Sequence, residues 1–428
     1  MSAPAVTKPQ RRGACPGLSA PMLTGDGLLA RLLPTGTIPL AAFATLCQAA
    51  RTYGNGIVEV SSRGSIQVRG LREPSAPQFA DAIAALDIAA EDGVPVLCNA
   101  LAGLDAGEIF DSTSLAKNLR QRIAQGALAA QLSPKVSIVV DDGGAIGLDA
   151  VGADIRLRAE RRHGDVTLDV SVGGDDSHAS KLGAIAPSHG VEAAMGLLSA
   201  IARYGHEARA RDILATEGVK TFHAALKEAV LAPLNSRSNG NERTSPIGTF
   251  PLRDRTLAVG IGLAFGHADT DALERLVDAT DAAGGIGLRT APGRALLAIG
   301  VAPDSAATFV TRAESLGFVT RAEDFRRRVI ACAGAPICAS AHIAARTFAP
   351  ALAADAVALD DTVHISGCAK GCAHAAAAAL TIVGTAEGCA MIANGSVRDA
   401  PFAVVPESEL RTAIRDHVRK RHREAAHV

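Results

Sequence analysis

The sequence predicts a duplicated α+β fold, and three observations carry that prediction. A strand, helix, strand, turn, strand order occurs twice, at an offset of about 230 residues. The copies share their punctuation: DGLLARLLPTG, FATLCQAARTYG and GIVEVSSRGSIQVRGL in the first, RTLAVGIGLAFG, DALERLVDATDAAG and GIGLRTAPGRALLAIGV in the second. Between them, PLNSRSNGNERTSPI (233–247) gathers Pro, Asn, Ser and Gly as a linker does. At 428 residues the chain exceeds a single core, so several domains are expected.

Taken in order, residues 11–110 read as a small half-domain of ferredoxin-like topology. Residues 111–232 follow as a larger α/β unit, with a helical stretch (STSLAKNLRQRIAQGALAAQ) and strand-like KVSIVVDD and DVTLDVSVGG. After the linker, residues 248–310 repeat the half-domain. Residues 311–425 form a second α/β unit, with a basic helix (RAEDFRRRV) and an Ala-rich helix from about Ser340 to Ala356. Between and after these helices come two cysteine loops, and the strand TIVG closes the region. Only the second large unit carries those cysteines.

Composition narrows the functional classes. Hydrophobic residues make up 48% of the chain and charged residues 20%, so a substantial interior is expected. The absence of Trp and the presence of only two Tyr leave few platforms for stacking nucleic-acid bases. A formal net charge of −1 gives no global pull towards nucleic acid or anionic membranes. No apolar signal region and no membrane-length apolar run are visible, so cytoplasm is the expected compartment.

The chemistry concentrates near the C-terminus. Cys332 and Cys338 lie in CAGAPIC, Cys368 and Cys372 in CAKGC, and 29 residues separate the pairs. Four thiolates from two short loops suit an iron–sulfur cubane, in which each iron takes one protein sulfur. A structural zinc site is the alternative, although zinc prefers tighter knuckles than a five-residue gap. A disulfide framework is disfavoured, because nothing points to an oxidising compartment.

The strings ACAGAPICASA and HISGCAKGCAH closely resemble the cluster signature of the sulfite and nitrite reductase family. SSRGSIQVRG, LCNALAGLD and LSPKVSIVVD resemble further strand-turns of that family, so the likeness spans nearly the whole chain. The resemblance implies a pseudo-two-fold reductase-like fold. It also implies that Cys332, Cys338, Cys368 and Cys372 hold a 4Fe-4S cluster, with Cys372 the candidate bridge to a sirohaem iron.

Departures then select a branch. Lys135 fits the first of the family's two active-site lysines, but Ser137 stands at the second. Ala379 replaces an acidic residue, and GVPV occupies the loop before Cys98 where the reductases place an arginine. A six-electron reduction of a small anion needs a strongly cationic pocket, so these losses argue against it. RRGACPGLSAPMLTGDGLLARL, the AGLD loop and RTAPGR instead resemble the precorrin-3B synthase branch. That resemblance implies O2-dependent hydroxylation of precorrin-3A at C20 with γ-lactone formation, in aerobic cobalamin synthesis. A second iron is then expected, either non-haem or sirohaem bridged by Cys372, together with an external electron donor. A sirohaem-dependent sulfite or nitrite reductase is the alternative, and a cluster-bearing electron carrier is a third reading that the large duplicated fold disfavours.

A tetrapyrrole with acetate and propionate arms is a polyanion, which Arg recognises best through its two-pronged guanidinium. The candidates at turns or strand ends are Arg12, Arg31, Arg63, Arg69, Lys135, Arg289, Arg294 and Lys370. Arg63 and Lys135 are assigned the catalytic positions because they fall on family positions that point at the tetrapyrrole. Arg69 alternates with Val68 and is expected to face solvent, and Arg326–Arg328 to form a solvated helix face. His364 and His374 flank the second cysteine loop, where a histidine more often tunes a cluster than ligates a metal. His342 reads as helix surface, Cys15, Cys47 and Cys389 as reduced thiols, and Cys98 as bordering the tetrapyrrole. A complete duplicated chain is expected to be a monomer.

Overall fold

The computed structural model describes residues 16–86, 88–91, 93–226, 230–232, 245–355, 359, 361–374 and 376–425. Arg12, Cys15 and positions 233–244 of the expected linker lie outside these residues. The first half-domain runs β1 (Met22–Thr24), β2 (Gly27–Leu32), β3 (Ile38–Pro39), α1 (Leu40–Tyr53), β4 (Ile57–Val60), β5 (Ile66–Leu71) and α2 (Ser75–Ala84). The first large unit runs β6 (Val96–Cys98), α3 (Ser112–Gln125), β7 (Ile138–Asp141), β8 (Ala153–Arg162), β9 (Asp165–Gly174) and β10 (Ser180–Ile185). It closes with α4 (Gly190–Ala202), α5 (Ala210–Glu217), α6 (Lys220–Leu226) and β11 (Val230–Ala232).

The second half repeats this order. Its half-domain contains β12 (Gly248–Pro251), β13 (Leu257–Gly262), β14 (His267–Asp269), α7 (Thr270–Ala282), β15 (Gly287–Ala291), β16 (Ala295–Val301) and α8 (Ala306–Ser315). Its large unit contains β17 (Val329–Ala331), α9 (Ala345–Asp355), β18 (Val363–Ser366), β19 (Ala378–Thr385), β20 (Gly388–Gly395), β21 (Ala403–Val405) and α10 (Leu410–Ala425).

The two half-domains exchange strands. Their sheets run β1-β2-β5-β4-β14 and β12-β13-β16-β15-β3, so each borrows its last strand from the other copy. His267 of β14 stands opposite Glu59 of β4, and Pro39 of β3 opposite Gly287 of β15. Pro39 can sit there because a sheet edge does not need its missing N–H. Phe43, Leu46, Cys47 and Ala50 recur at helical spacing along α1 and are buried in one core with Leu273 and Leu276 of α7. Arg51 crosses between these helices to Asp271 and Glu274 at 2.7 and 2.6 Å. That pair is exposed, so its contribution is small beside the shared core.

The large units also match. β6, β7 and β8 are parallel, then β8 to β11 antiparallel; β17, β18 and β19 are parallel, then β19 to β21 antiparallel. Ile138 pairs with Ile155 as Val363 pairs with Leu380, which superposes the registers of the two copies. Cys332 therefore corresponds to Asn99, and His364 to Val139. The cysteine loops leave the C-terminal ends of β17 and β18, the edge of a parallel sheet where ligand sites collect. Asn99 is buried and spends its amide on the backbone of Ile146 and Leu101. The first unit thus has the shape of a cysteine loop with a structural amide in place of the thiol.

Two local expectations are corrected. Phe325–Arg327 is a single 3-10 turn capped by Asp324, not a solvated helix: Arg326 is held by Asp324, and half-buried Arg327 donates to the carbonyl of Ala322. The Ala-rich helix begins at Ala345, so His342 sits in the preceding turn, where its N–H donates to the carbonyl of Gly367.

Candidate functional site

The cysteine loops are locked together before any side chain of the cavity is considered. The N–H of His342 bonds the carbonyl of Gly367, and the Lys370 Nζ donates to Ser340 Oγ at 2.6 Å, joining the first loop to the second. Gly367 N–H donates to the Cys332 sulfur at 3.0 Å. Burial pushes the Cys332 thiol up; the N–H groups of Gly367 and Gly334 act against that, and Cys372 and Cys368 add to it. Cys332 is thus within electrostatic reach of both cysteines of the second loop. Cys338 closes the first loop with an N–H bond to Gly334 O, and Ala339 N–H bonds Gly25 O in the β1–β2 turn.

The donor set fits a cluster. It consists of thiols supplied by two loops, and a backbone N–H is directed at one sulfur, the contact that tunes a cluster. Among the described residues no three His, Cys, Asp or Glu side chains converge on a single ion. A cubane takes its thiolates at separate corners, so they need not converge on one point. Gly25 seals the cluster side: a Cβ there would lie 2.3 Å from the Cys338 sulfur. Gly25→Ala is expected to displace that thiol and lower bound iron and sulfide, measured by metal and sulfide analysis of the purified variant.

Beside the cysteines lies a solvent-open cavity, walled by β2, β4 and β5, by Phe265–His267 and Arg294, and by Ile330–Cys332 and Cys372. Its floor is a polar row across the first mixed sheet. Arg31 stands opposite Gln67, Gln67 opposite Glu59, and Glu59 opposite His267. Strand alternation sets this row against the apolar face formed by Ala30, Val58 and Val68. The Gln67 amide oxygen accepts from Arg31 Nη2 and Nε at 3.0 and 3.2 Å.

Arg69 is the main surprise. It is 8% exposed and does not face solvent. Its Nε and Nη2 each bond Asp26 at 2.8 Å, and Glu59 lies 3.8 Å away. The register shift between Leu28 and Ala30 lets the β1–β2 turn bring Asp26 over Arg69, and the cluster unit covers that face of the sheet. Burial opposes the charge on Arg69, but the Asp26 bond and the Glu59 field hold its pKa above the ordinary value. Burial likewise works against the Asp26 carboxylate, yet Arg69 keeps its pKa below the usual range. Glu59 also takes a 2.7 Å bond from Arg346 Nη2, while Arg346 Nε and Nη1 have no hydrogen-bond partner among the described residues. Four arginines (31, 69, 294 and 346) thus surround two carboxylates, which leaves the cavity cationic.

Histidines line the same region. Burial and then Arg346 depress His267 to about 3, and burial, His374 and Arg294 depress His364 to about 4. His364 is fully buried, has neither ring nitrogen bonded among the described residues, and meets His374 edge to face at 5.6 Å. Both His267 and His364 are neutral when folded and accept a proton more readily when unfolded. Their contribution is therefore complete above pH about 6.5 and is lost as pH falls towards 4, by up to about 1.4 kcal/mol per unit for each group. Urea midpoints between pH 7.5 and 4.5 check this; His267→Gln is expected to flatten the slope.

The remaining expected residues separate. Arg31 and Arg294 reach the cavity, Arg294 from a left-handed backbone (φ 62°) and with its charge disfavoured by burial. Lys370 is exposed on the cysteine loop. Lys135 is exposed just before β7 and is not among the residues lining this cavity. Arg63 turns to the first large unit, where Nη1 donates to Ser137 Oγ at 3.3 Å and Nη2 to Gly152 O at 2.8 Å. Arg289 and Cys98 line a different cavity, and burial pushes the Cys98 thiol up to about 12. Sequence reasoning missed Asp26, Glu59, Gln67, His267 and Arg346. The signal for Gln67 is in the sequence: polar residues alternate with apolar ones at Ser65, Gln67 and Arg69 in SIQVRG, and Glu59 stands alone among the apolar residues of GIVEV.

Comparison with known proteins now adds to the geometry. Residues 21–86 match the nitrite/sulfite reductase ferredoxin-like half domain. A precorrin-3B synthase from Sinorhizobium sp. is 36% identical over 94% of this chain and 87% of its own length. This chain belongs to the precorrin-3B synthase family. Reductases are more distant relatives of this family member. Sulfite reductase (ferredoxin) 2 of Mycolicibacterium paratuberculosis is 26% identical over 79% of this chain and 66% of its own. A ferredoxin–nitrite reductase of Synechococcus elongatus is 23% identical over 85% and 77%. The Mycobacterium tuberculosis NirA structure matches with a TM-score of 0.71 and 19% identity, over 92% of this chain and 80% of that one, and shows the shared nitrite/sulfite reductase-like fold. Among the described residues no helix is long and apolar enough to cross a membrane.

Proposed function

We propose that this precorrin-3B synthase family member hydroxylates precorrin-3A at C20, with γ-lactone formation from a ring A acetate. One atom of O2 enters as the hydroxyl and the other leaves as water, with two electrons from an external donor and two protons. The observation that carries the reading is the cationic cavity beside the cysteine loops, lined by Arg31, Arg69 and Arg294. Arg31 and Arg294 hold carboxylate arms of the macrocycle, while Asp26 and Glu59 keep Arg69 and Arg346 in place. Exposed Lys370 extends the binding surface. Arg63 and Lys135 belong to the substrate-facing edge of the first large unit, Arg63 positioned by Ser137 and Gly152.

Cys332, Cys338, Cys368 and Cys372 would hold a 4Fe-4S cluster, which supplies single electrons when bound. A second iron, either non-haem or a sirohaem that Cys372 would help to hold, would supply O2 activation; buried His364, whose ring nitrogens have no hydrogen-bond partner among the described residues, is a candidate ligand. His267 and His364 are neutral near pH 7 and add no cation to the site. A sirohaem-dependent reductase is disfavoured because buried Ser137, standing where the second lysine would be, is bonded to Arg63 and offers no positive charge. The strand exchange between the two half-domains is completed within one chain, which supports a monomer as the working form.

Turnover of precorrin-3A under 18O2 tests the reading. One labelled oxygen at C20 is expected; label absent from the product, or sulfite reduction in its place, would contradict it.

A further inference from the structure

The duplication creates a second cavity, open to solvent. It is the pseudo-two-fold counterpart of the first, as strand register shows. Glu59 opposes Gln67 as Arg289 opposes Leu297, and β14 borders β4 as β3 borders β15. On that register Thr35 and Gly36 replace Phe265 and Gly266, Arg289 replaces Glu59, Gly64 replaces Arg294 and Asn99 replaces Cys332. The thiol side of the site has been exchanged for an amide, and the carboxylate at its floor for a guanidinium.

The charges that result point to a ligand. Arg289 is half-buried, and its bonds are to neutral oxygens: Nε to Thr37 Oγ1 at 2.8 Å, Nη1 to the carbonyls of Ala100 and Ala102 at 3.2 and 3.0 Å. Its Nη2 has no hydrogen-bond partner among the described residues, and Glu108, the carboxylate that acts on its charge, is itself paired with Arg253 at 3.5 Å. A guanidinium held only by neutral oxygens gains a charge-assisted bond from an entering anion. Glu91 does not serve, because Arg120 and the Val96 N–H already hold it. Arg63 reaches the same cavity, and Leu33, Pro34, Leu97 and Pro292 give it apolar walls. Guanidinium heads over apolar walls suit a carboxylate on an organic body.

We propose that this cavity is a second binding site, selective for carboxylated organic anions, with Arg289 as its anchor. A carboxylated tetrapyrrole and a small dicarboxylate are the two sources of that chemistry. The proposal rests on the functional reading above only for the choice of probe.

Equilibrium binding of uroporphyrin to the full-length protein tests it. Two equivalents are expected, with Arg289→Ala and the cavity-filling Ala102→Phe each weakening one by at least 10-fold, and Arg294→Ala weakening the other. Ala102→Phe leaves Arg289 in place, so agreement between the two variants separates loss of the site from misfolding. Displacement of the second equivalent by millimolar succinate would assign the site to small dicarboxylates. Retention against succinate would assign it to tetrapyrroles. One equivalent, sensitive to Arg294→Ala and indifferent to Arg289→Ala and Ala102→Phe, would overturn the second site and leave the first intact. No binding at all would count against both.

Discussion

Asp26→Ala is expected to destabilise the folded protein by about 3–5 kcal/mol, because it leaves the Arg69 guanidinium buried without its bidentate partner. Glu59, 3.8 Å from Arg69 and already bonded to Arg346, cannot replace two 2.8 Å bonds. The double variant Asp26→Leu with Arg69→Met removes both charges and is expected to recover most of that loss, since no ion is then stranded. Urea denaturation of the three proteins at pH 7.5 measures both effects. A single variant as stable as the parent would show that the pair is open to water, against the burial reported above.

Arg294→Ala is expected to weaken tetrapyrrole binding by about 10- to 150-fold, the equivalent of one charged hydrogen bond of about 1.5–3 kcal/mol. The side chain projects from the β15–β16 turn into the cavity, where burial already disfavours its charge, so a substrate carboxylate is the group that would stabilise it. Replacement by Ala retains the left-handed backbone demand at that position and isolates the loss of the guanidinium. The visible spectrum of the iron centre is expected to stay unchanged, which separates substrate binding from cofactor loss. Dissociation constants measured by fluorescence quenching with uroporphyrin, beside the spectra, check the two parts independently.

The duplication was legible because it repeats as a pattern: apolar runs, turn glycines and helical spacing recur in order even where identity is low. The cysteine loops were legible because four thiols at those spacings have few uses. The strand exchange was not, since β3 and β14 are two and three residues long and gain their strand geometry from the opposite copy. Arg69 misled for a related reason. Alternation places it on the face away from the half-domain core, which is normally the wet face, but the cysteine unit and Asp26 cover it. Glu59 and Arg346 are 287 residues apart, so no local pattern announces that they meet. Arg63 and Lys135 matched family positions, yet a side chain's direction from a turn depends on its partners, here Ser137 and Gly152 for Arg63.

The central claim is that the four cysteines hold an iron–sulfur cluster beside a tetrapyrrole cavity. An inventory of iron, acid-labile sulfide, zinc and the visible spectrum, on protein purified without oxygen, tests it most directly. About four sulfides per chain are expected, with iron equal to or slightly above that number, all lost together in Cys368→Ser. Zinc in place of sulfide would contradict the cluster, and sulfite reduction by the loaded protein would turn the reading towards a reductase.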